Sequence, residues 1–357
     1  MLRNILLGLF LFVVLVLAIG FVLPDKAHVE RSIKIKAPAS QIYALVDGFH
    51  SFAKWSPWQD KDPAMTVKTS GPAFGVGARY EWSGNKQVGS GTQEIVAETP
   101  YTQVKTRLTF GGFDGSSLAV FNLEPMQDGV RVTWSLDVPL GANPIGHLFG
   151  PLMKKQIGPD YELGLSRLKT VAEAGPKDDF AGLDAALAES KSFPYAYVSA
   201  SSSTDSDAIG KALTVAYGQI GGFMKAAGLK QAGAPLAVTR RWDEAGKVYE
   251  FDAGIPVDRN PADGAAPAAA APAVVSPDLA KAKLKADVKV AFTYAGPALR
   301  VEHHGAYGKL PETYARIAAF KQAYGLQDNG LPWESYVSDP GSTPEAQLVT
   351  EIWLPLK

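Results

Sequence analysis

The 357-residue chain contains no cysteine, and neither sign of charge dominates it, with 35 Lys and Arg against 36 Asp and Glu. Without thiols there are no disulfides, no thiolate nucleophile and no zinc site built on Cys. Without a long basic run there is no electrostatic footprint for nucleic acid, because phosphate binding needs clustered Lys and Arg. Histidine is scarce as well, at five residues. His303 and His304 are adjacent on a predicted strand, so they point to opposite faces and do not bind one metal. No P-loop, H-E-x-x-H, G-x-S-x-G or strand-to-helix G-x-G-x-x-G occurs. Gly71, Gly75 and Gly77 precede a strand, the wrong setting for a dinucleotide. No catalytic residue, metal or cofactor is therefore expected.

What is present begins with an apolar run. Ile5 to Leu23 form 19 consecutive positions without a charge, close to the ~20 that cross a bilayer as a helix. The run is too long for the apolar core of a cleaved signal, and Val22-Leu23-Pro24-Asp25-Lys26-Ala27 makes a poor cleavage site. Residues 1–25 are thus expected to be a transmembrane anchor. Lys26, Arg31, Lys34 and Lys36 after the helix favour a cytoplasmic soluble part by charge count. A short N-terminal tail before one apolar helix favours export, and the expected side is periplasmic or extracellular.

Two regions follow, residues 28–174 and 193–357, joined by a linker over 175–192 that opens on Gly175-Pro176-Lys177-Asp178-Asp179. The first reads as strands closed by a long helix. Val104, Thr106, Leu108 and Phe110 alternate with polar residues, as do Val130, Val132, Trp134, Leu136 and Val138, the period of half-buried antiparallel strands. Ile145, Leu148, Phe149, Leu152, Tyr161, Leu165, Leu168 and Val171 recur at helical spacing, with a break or kink expected at Gly158-Pro159. A short helix over Ala39 to Val46 precedes an aromatic loop.

The second region repeats itself. At an offset of 97, Tyr217, Phe223, Gly228, Leu229 and Pro235 match Tyr314, Phe320, Gly325, Leu326 and Pro332, and Ile255-Pro256-Val257 later matches Leu354-Pro355-Leu356. Each half reads as strand, helix, strand, strand, and two such units would pair into one two-layer domain with pseudo-two-fold symmetry. An Ala/Pro stretch at 258–282 separates the halves and reads as a mobile insertion. The fold class is α+β throughout.

Aromatic and acidic residues supply the candidate sites. Trp55, Trp58, Trp82 and Trp134, with Tyr80, Phe110 and Phe121, exceed what a core of this size requires, and are expected to line an apolar cavity between a curved sheet and the long helix. Trp55-Ser56-Pro57-Trp58 is expected to cover its mouth. In the second region the final strand should place Glu351 and Trp353 on an open face, with Asp252 at the related position, while Trp333-Glu334-Ser335-Tyr336 offers a second acid and aromatic pair. Carboxylates beside aromatic faces suit a cationic aromatic ligand.

Residues from about Val29 to Ala174, through Val29-Glu30-Arg31-Ser32-Ile33, Trp55-Ser56-Pro57-Trp58, Trp82-x-Gly84 and Val132-Thr133-Trp134, resemble the SRPBCC (START-like, polyketide cyclase/dehydrase) superfamily. That resemblance implies a helix-grip fold around a hydrophobic pocket and fixes no activity. Residues from about Phe193 to Lys357, through His304-Gly305-x-Tyr307, Trp333-Glu334-Ser335-Tyr336 and Thr350-Glu351-Ile352-Trp353-Leu354-Pro355-Leu356, resemble the GyrI-like small-molecule-binding family, the effector-binding domain of AraC-type regulators. It implies a cleft for small, often cationic aromatic ligands, with Glu334 or Glu351 as its acid. His304, Tyr307 and Tyr336 enter as ligand-binding candidates on the same ground. The expected protein is a membrane-anchored binder of small molecules. The alternatives are a cyclase or hydrolase using Glu334 or Glu351 with Tyr307 or Tyr336, and an envelope protein-interaction module.

Overall fold

The computed structural model describes residues 2–112, 115–258 and 288–357. The chain divides into two compact units, the first running through Ala181 and the second from Gly182, with Ala319–Gly325 counted in the first. The Ala/Pro stretch expected as an insertion lies, apart from Asp258, outside the described residues.

The first unit opens with helix α1 (Leu2–Val22), almost wholly exposed and long and apolar enough to cross a membrane. Strand β1 (Lys26–Ile35) follows, then helices α2 (Ala39–Val46), α3 (Phe52–Trp55) and α4 (Trp58–Lys61). Next come β2 (Thr66–Ser70), β3 (Arg79–Ser83), β4 (Ser90–Thr99), β5 (Gln103–Phe110), β6 (Ser117–Met126) and β7 (Gly129–Pro139), then α5 (Pro144–His147) and α6 (Gly150–Ala174). The strands form one antiparallel sheet in the order β1-β7-β6-β5-β4-β3-β2. The alternation read at 103–110 and 130–138 thus marks β5 and β7, and the short helix read at Ala39–Val46 is α2.

Helix α6 lies against β1 and β7 and buries Tyr161, Leu165, Leu168 and Ala172. Their spacing places all four on one face, and each fully buried Leu contributes about 1.5–3 kcal/mol. The interruption expected at Gly158-Pro159 does not occur, since α6 runs through Pro159. Burial of the residues that follow holds the helix together despite the missing donor. Gly158 instead leaves room for the Arg31 guanidinium, which a Cβ would strike. The actual discontinuity comes earlier, between α5 and α6.

Helix α1 is tied to this unit at its last turns. Gly20 is buried under Pro144, whose carbonyl a Cβ would overlap. His147 places Nδ1 2.8 Å from the Gly20 carbonyl and Nε2 2.9 Å from that of Gly141. Two carbonyl acceptors require both ring nitrogens to donate, and the Gly141 and Gly20 carbonyls accordingly raise the imidazole pKa.

In the second unit the strands are β8 (Asp184–Ser190), β9 (Pro194–Ser202), β10 (Leu236–Asp243), β11 (Val248–Pro256), β12 (Lys289–Phe292), β13 (Gly296–His304), β14 (Trp333–Tyr336) and β15 (Val349–Pro355). Helices α7 (Ser206–Ala227) and α8 (Leu310–Tyr324) complete it. The sheet order is β12-β9-β11-β10-β14-β15-β13-β8. β9-α7-β10-β11 and β13-α8-β14-β15 are the two halves, as read from the repeat. Residues 184–190, expected within the linker, instead form β8 on the outer edge of the second half, while β12 edges the first.

Local chemistry repeats with the topology. Asp205 caps α7 by accepting from the Asp207 and Ala208 amides at 3.1 Å, and Gly228 ends that helix at φ 64°, as Gly325 follows α8 at φ 67°. The left-handed conformation suits glycine at both positions. Amides of Ala232 and Asn329, again 97 apart, donate to the carbonyls of Pro256 and Pro355 at 2.9 Å each. A Leu168→Ala substitution, at a fully buried position of α6, is expected to lower stability by about 2–5 kcal/mol, read as a shifted denaturant midpoint.

Candidate ligand sites

Between the first sheet, α6 and the α3–α4 loop lies a cavity of about 160 Å³. Its wall holds Trp55, Trp58, Trp82 and Trp134 together with Phe52, Tyr80, Phe121 and Tyr161. All four tryptophans singled out in the sequence are therefore brought together. Trp134 is the centre of the aromatic packing: Tyr161 stacks on it at 3.7 Å between ring centroids and Phe121 at 4.9 Å, while Trp55 and Trp58 approach edge-on at 5.6 and 5.8 Å. Trp55 does not cover the mouth. It is 2% exposed and donates its indole N–H to the Leu45 carbonyl at 2.9 Å, so it serves as wall. Polar groups are few: Gln93, Thr106 and Asp160, the last held by Lys61 at 2.6 Å.

Just outside this lining, between Val46 and Gly48, Asp47 is buried beside Glu98. Burial first, then Glu98, raises the Asp47 carboxyl well above its ordinary range. Asp47 Oδ1 and Glu98 Oε2 are buried without a hydrogen-bond partner among the described residues.

In the second unit the strand faces separate the acids. Glu334 on β14 pairs with Ala237 on β10 and Ile352 on β15, and so points to the helix side. There it is 8% exposed and accepts from the Tyr314 hydroxyl at 2.7 Å and the Tyr336 hydroxyl at 2.9 Å. Tyr307 meets Tyr336 edge-on at 5.6 Å. Tyr217 on α7 and Tyr249 on β11 feel the same carboxylate. Among the described residues no Lys or Arg pairs with Glu334. Desolvation raises its pKa, and the two phenol hydrogen bonds act in the opposite direction. The phenols of Tyr314 and Tyr336 are themselves pushed far up, by burial and then by Glu334, so they remain donors.

Trp333 and Trp353 stack in parallel at 5.6 Å on the opposite face. Glu351 is there too, accepting from the Trp353 indole at 3.1 Å, but Arg300 binds it at 2.7 Å. Asp252 is also neutralised, by Arg240 Nε at 2.6 Å and the Ser199 hydroxyl at 2.7 Å, and is buried instead of lying on an open face. His304 is exposed on β13. With Asp184 and Glu302 it brings ligand atoms within 4.8 Å of one another, although Arg300 already engages Glu302. The six second-unit candidates therefore do not form one site: Glu334, Tyr336 and Tyr307 assemble, while Glu351, Trp353 and His304 lie elsewhere. Tyr314, Tyr217 and Tyr249 were not singled out as ligands, yet Tyr217 and Tyr314 are themselves a repeat-matched pair.

Glu334 sits at a particular point of the duplication. Its partner across β10 and β14 is Ala237, which is 97 residues earlier, so the pseudo-two-fold axis passes through this pair. The related backbone bonds flank it, Tyr336 N to Pro235 O at 2.8 Å and Thr239 N to Pro332 O at 2.9 Å.

Two outcomes follow. Because Glu334 is raised when folded, its ionisation costs stability as pH climbs above 4.5, until the folded group is itself fully ionised. Glu334→Gln should remove that loss, so the variant gains on wild type in denaturant titrations as pH rises, with little difference in acid. Ala237→Glu would place a second uncompensated acid on the axis and should cost about 3–5 kcal/mol near neutral pH, seen as a lowered melting temperature.

No curated protein matches the chain. Residues 26–173 match the family described as polyketide cyclase / dehydrase and lipid transport, and residues 191–357 match the GyrI-like small molecule binding domain. Among solved structures the chain is similar to a protein from Chromobacterium violaceum, at 16% identity over 42% of this chain and 99% of that one, with a TM-score of 0.31. It is also similar to the EcmrR C-terminal domain, at 18% identity over 49% and 98% with a TM-score of 0.38. A hydrolase from Listeria innocua aligns at 15% identity over 49% and 92% with a TM-score of 0.33. The two family matches make the chain a fusion of an SRPBCC-like polyketide cyclase/dehydrase domain with a GyrI-like small-molecule-binding domain.

Proposed function

We propose that this protein is a membrane-anchored binder of small amphipathic molecules, and that its second domain takes hydrophobic cations at Glu334. The observation that carries this reading is a buried carboxylate that, among the described residues, is satisfied by phenols and has no cationic partner. A buried charge is costly unless paired, and a ligand cation would supply the missing countercharge while the tyrosine rings offer cation–π contact. The length and composition of α1 support an anchor, and in this reading the soluble domains lie on the periplasmic or extracellular side. The aromatic cavity of the first domain would take an uncharged apolar group. A cavity of about 150 Å³ holds a molecule the size of benzene, which sets the scale for this one.

Scanning fluorimetry of the full chain in detergent with tetraphenylphosphonium or rhodamine 6G tests the reading. Both should raise the melting temperature of wild type and of Glu351→Gln. Glu334→Gln should abolish the shift. Affinity should climb with pH as the Glu334 carboxyl, raised above 4.5, loses its proton. A shift of equal size in Glu334→Gln would sink the proposal.

A second reading rests on the same geometry. A dehydrated carboxyl of raised pKa within hydrogen-bonding reach of two hydroxyls is also what a general base requires. Ester or epoxide turnover lost in both Glu334→Gln and Tyr336→Phe would favour it over binding alone.

A further inference from the structure

The proposed role of α1 as an anchor sets the depth of whatever touches its end, and the argument here rests on that role. Twenty-one helical residues span about 32 Å at 1.5 Å each, against a hydrocarbon layer of about 30 Å. The end of α1 at Val22 then marks the edge of the hydrocarbon, and Gly20 lies about 3 Å inside it. Gly20 is the residue under Pro144 and the one whose carbonyl His147 engages. The start of α5 is therefore held at the membrane surface by the covalent chain and by these contacts.

The side chains exposed there are apolar. Ile145, Phe149 and Leu152 are 50%, 54% and 48% exposed, and their i, i+4, i+7 spacing places them on one face. α5 and α6 are separate helices, but Leu148 and Phe149 between them keep right-handed helical dihedrals and donate to the Ile145 and Gly146 carbonyls, so the chain keeps turning in the same sense through the break. From Leu140 to Pro159 the sequence has no acid, and exposed Lys154 and Lys155 follow the apolar face. An apolar face flanked by lysines is the pattern of a helix lying in a lipid interface.

We infer that Ile145, Phe149 and Leu152 form a wedge that seats the α5–α6 junction in the interfacial layer of an anionic bilayer beside α1. The cavity wall begins close by: Ile157, which lines it, lies about 8 Å along α6 from Leu152. The wedge would thus hold the apolar cavity near the lipid surface, where apolar ligands partition.

The absence of native cysteine makes the test direct. Single variants Val13→Cys, Phe149→Cys, Leu152→Cys and Gln127→Cys of the full chain are labelled with an environment-sensitive dye. They are reconstituted in phosphatidylcholine vesicles with and without phosphatidylglycerol, containing brominated lipid. Gln127 is the control, exposed at the β6–β7 turn. That turn is about 30 Å along the sheet from the Lys26 end. The expected result is strong quenching at 13 with a deep position, and blue-shifted, quenched emission at 149 and 152 at about 5–10 Å depth. Quenching there should strengthen with phosphatidylglycerol, and 127 should remain unquenched. If 13 is deep while 149 and 152 behave like 127, the wedge is wrong and the anchor stands. If 13 itself is unquenched, the anchor reading falls and the wedge with it. Shielding at 149 and 152 that persists in detergent and grows with protein concentration would assign the patch to a second copy and overturn the inference.

Discussion

The second domain depends on a short seam. Three residue pairs, Leu236–Ser335, Ala237–Glu334 and Val238–Trp333, join the two halves into one sheet. Each half on its own is three strands and one helix, the lower limit for independent stability in water. The outer strands then tie the halves further, since β8 precedes the first half but pairs with the second, and β12 does the reverse. Placing an uncompensated acid at the middle of this seam is a local conflict with stability. Conflicts of that kind are characteristic of functional sites.

The two domains solve ligand recognition with different physics. The first offers volume and aromatic surface, in which Trp134 is packed by Tyr161, Phe121, Trp55 and Trp58 and the non-aromatic polar side chains of the lining are Gln93, Thr106 and Asp160. Burial of apolar area would drive any binding there, with little directional preference. The second offers charge, held where water does not screen it. A molecule with a cationic head and an apolar body carries a part suited to each chemistry.

Much of this was legible in the sequence, for reasons that can be named. Period-two alternation exposed β5 and β7 because each buries one face only. The offset of 97 exposed the duplication because the residues that recur, Gly228 and Gly325 or Pro235 and Pro332, occupy backbone positions that few other residues tolerate or make the turns that the fold repeats. The choice between Glu334 and Glu351 was not legible. Alternation says that neighbours face apart, but not which face the helices cover, nor that Arg300 on a strand 51 residues away would neutralise Glu351. β8 was lost in the linker because its Ala-rich stretch, Asp184 to Ser190, lacks the branched and aromatic residues that announce a strand. Tyr217 and Tyr314 recur at the repeat offset, and their shared position is the one that acts on Glu334.

An acid beside a two-fold axis has a consequence for ligand orientation. The axis runs between Glu334 and Ala237, so the charge lies close to both halves and does not by itself choose between two ligand poses related by a half-turn. That choice belongs to positions where the halves diverged. Tyr336 stands where the first half has Thr239, and Tyr307 where it has Gly210. The duplication supplies the chamber, and the difference between its halves is what would give a bound ligand one direction in it.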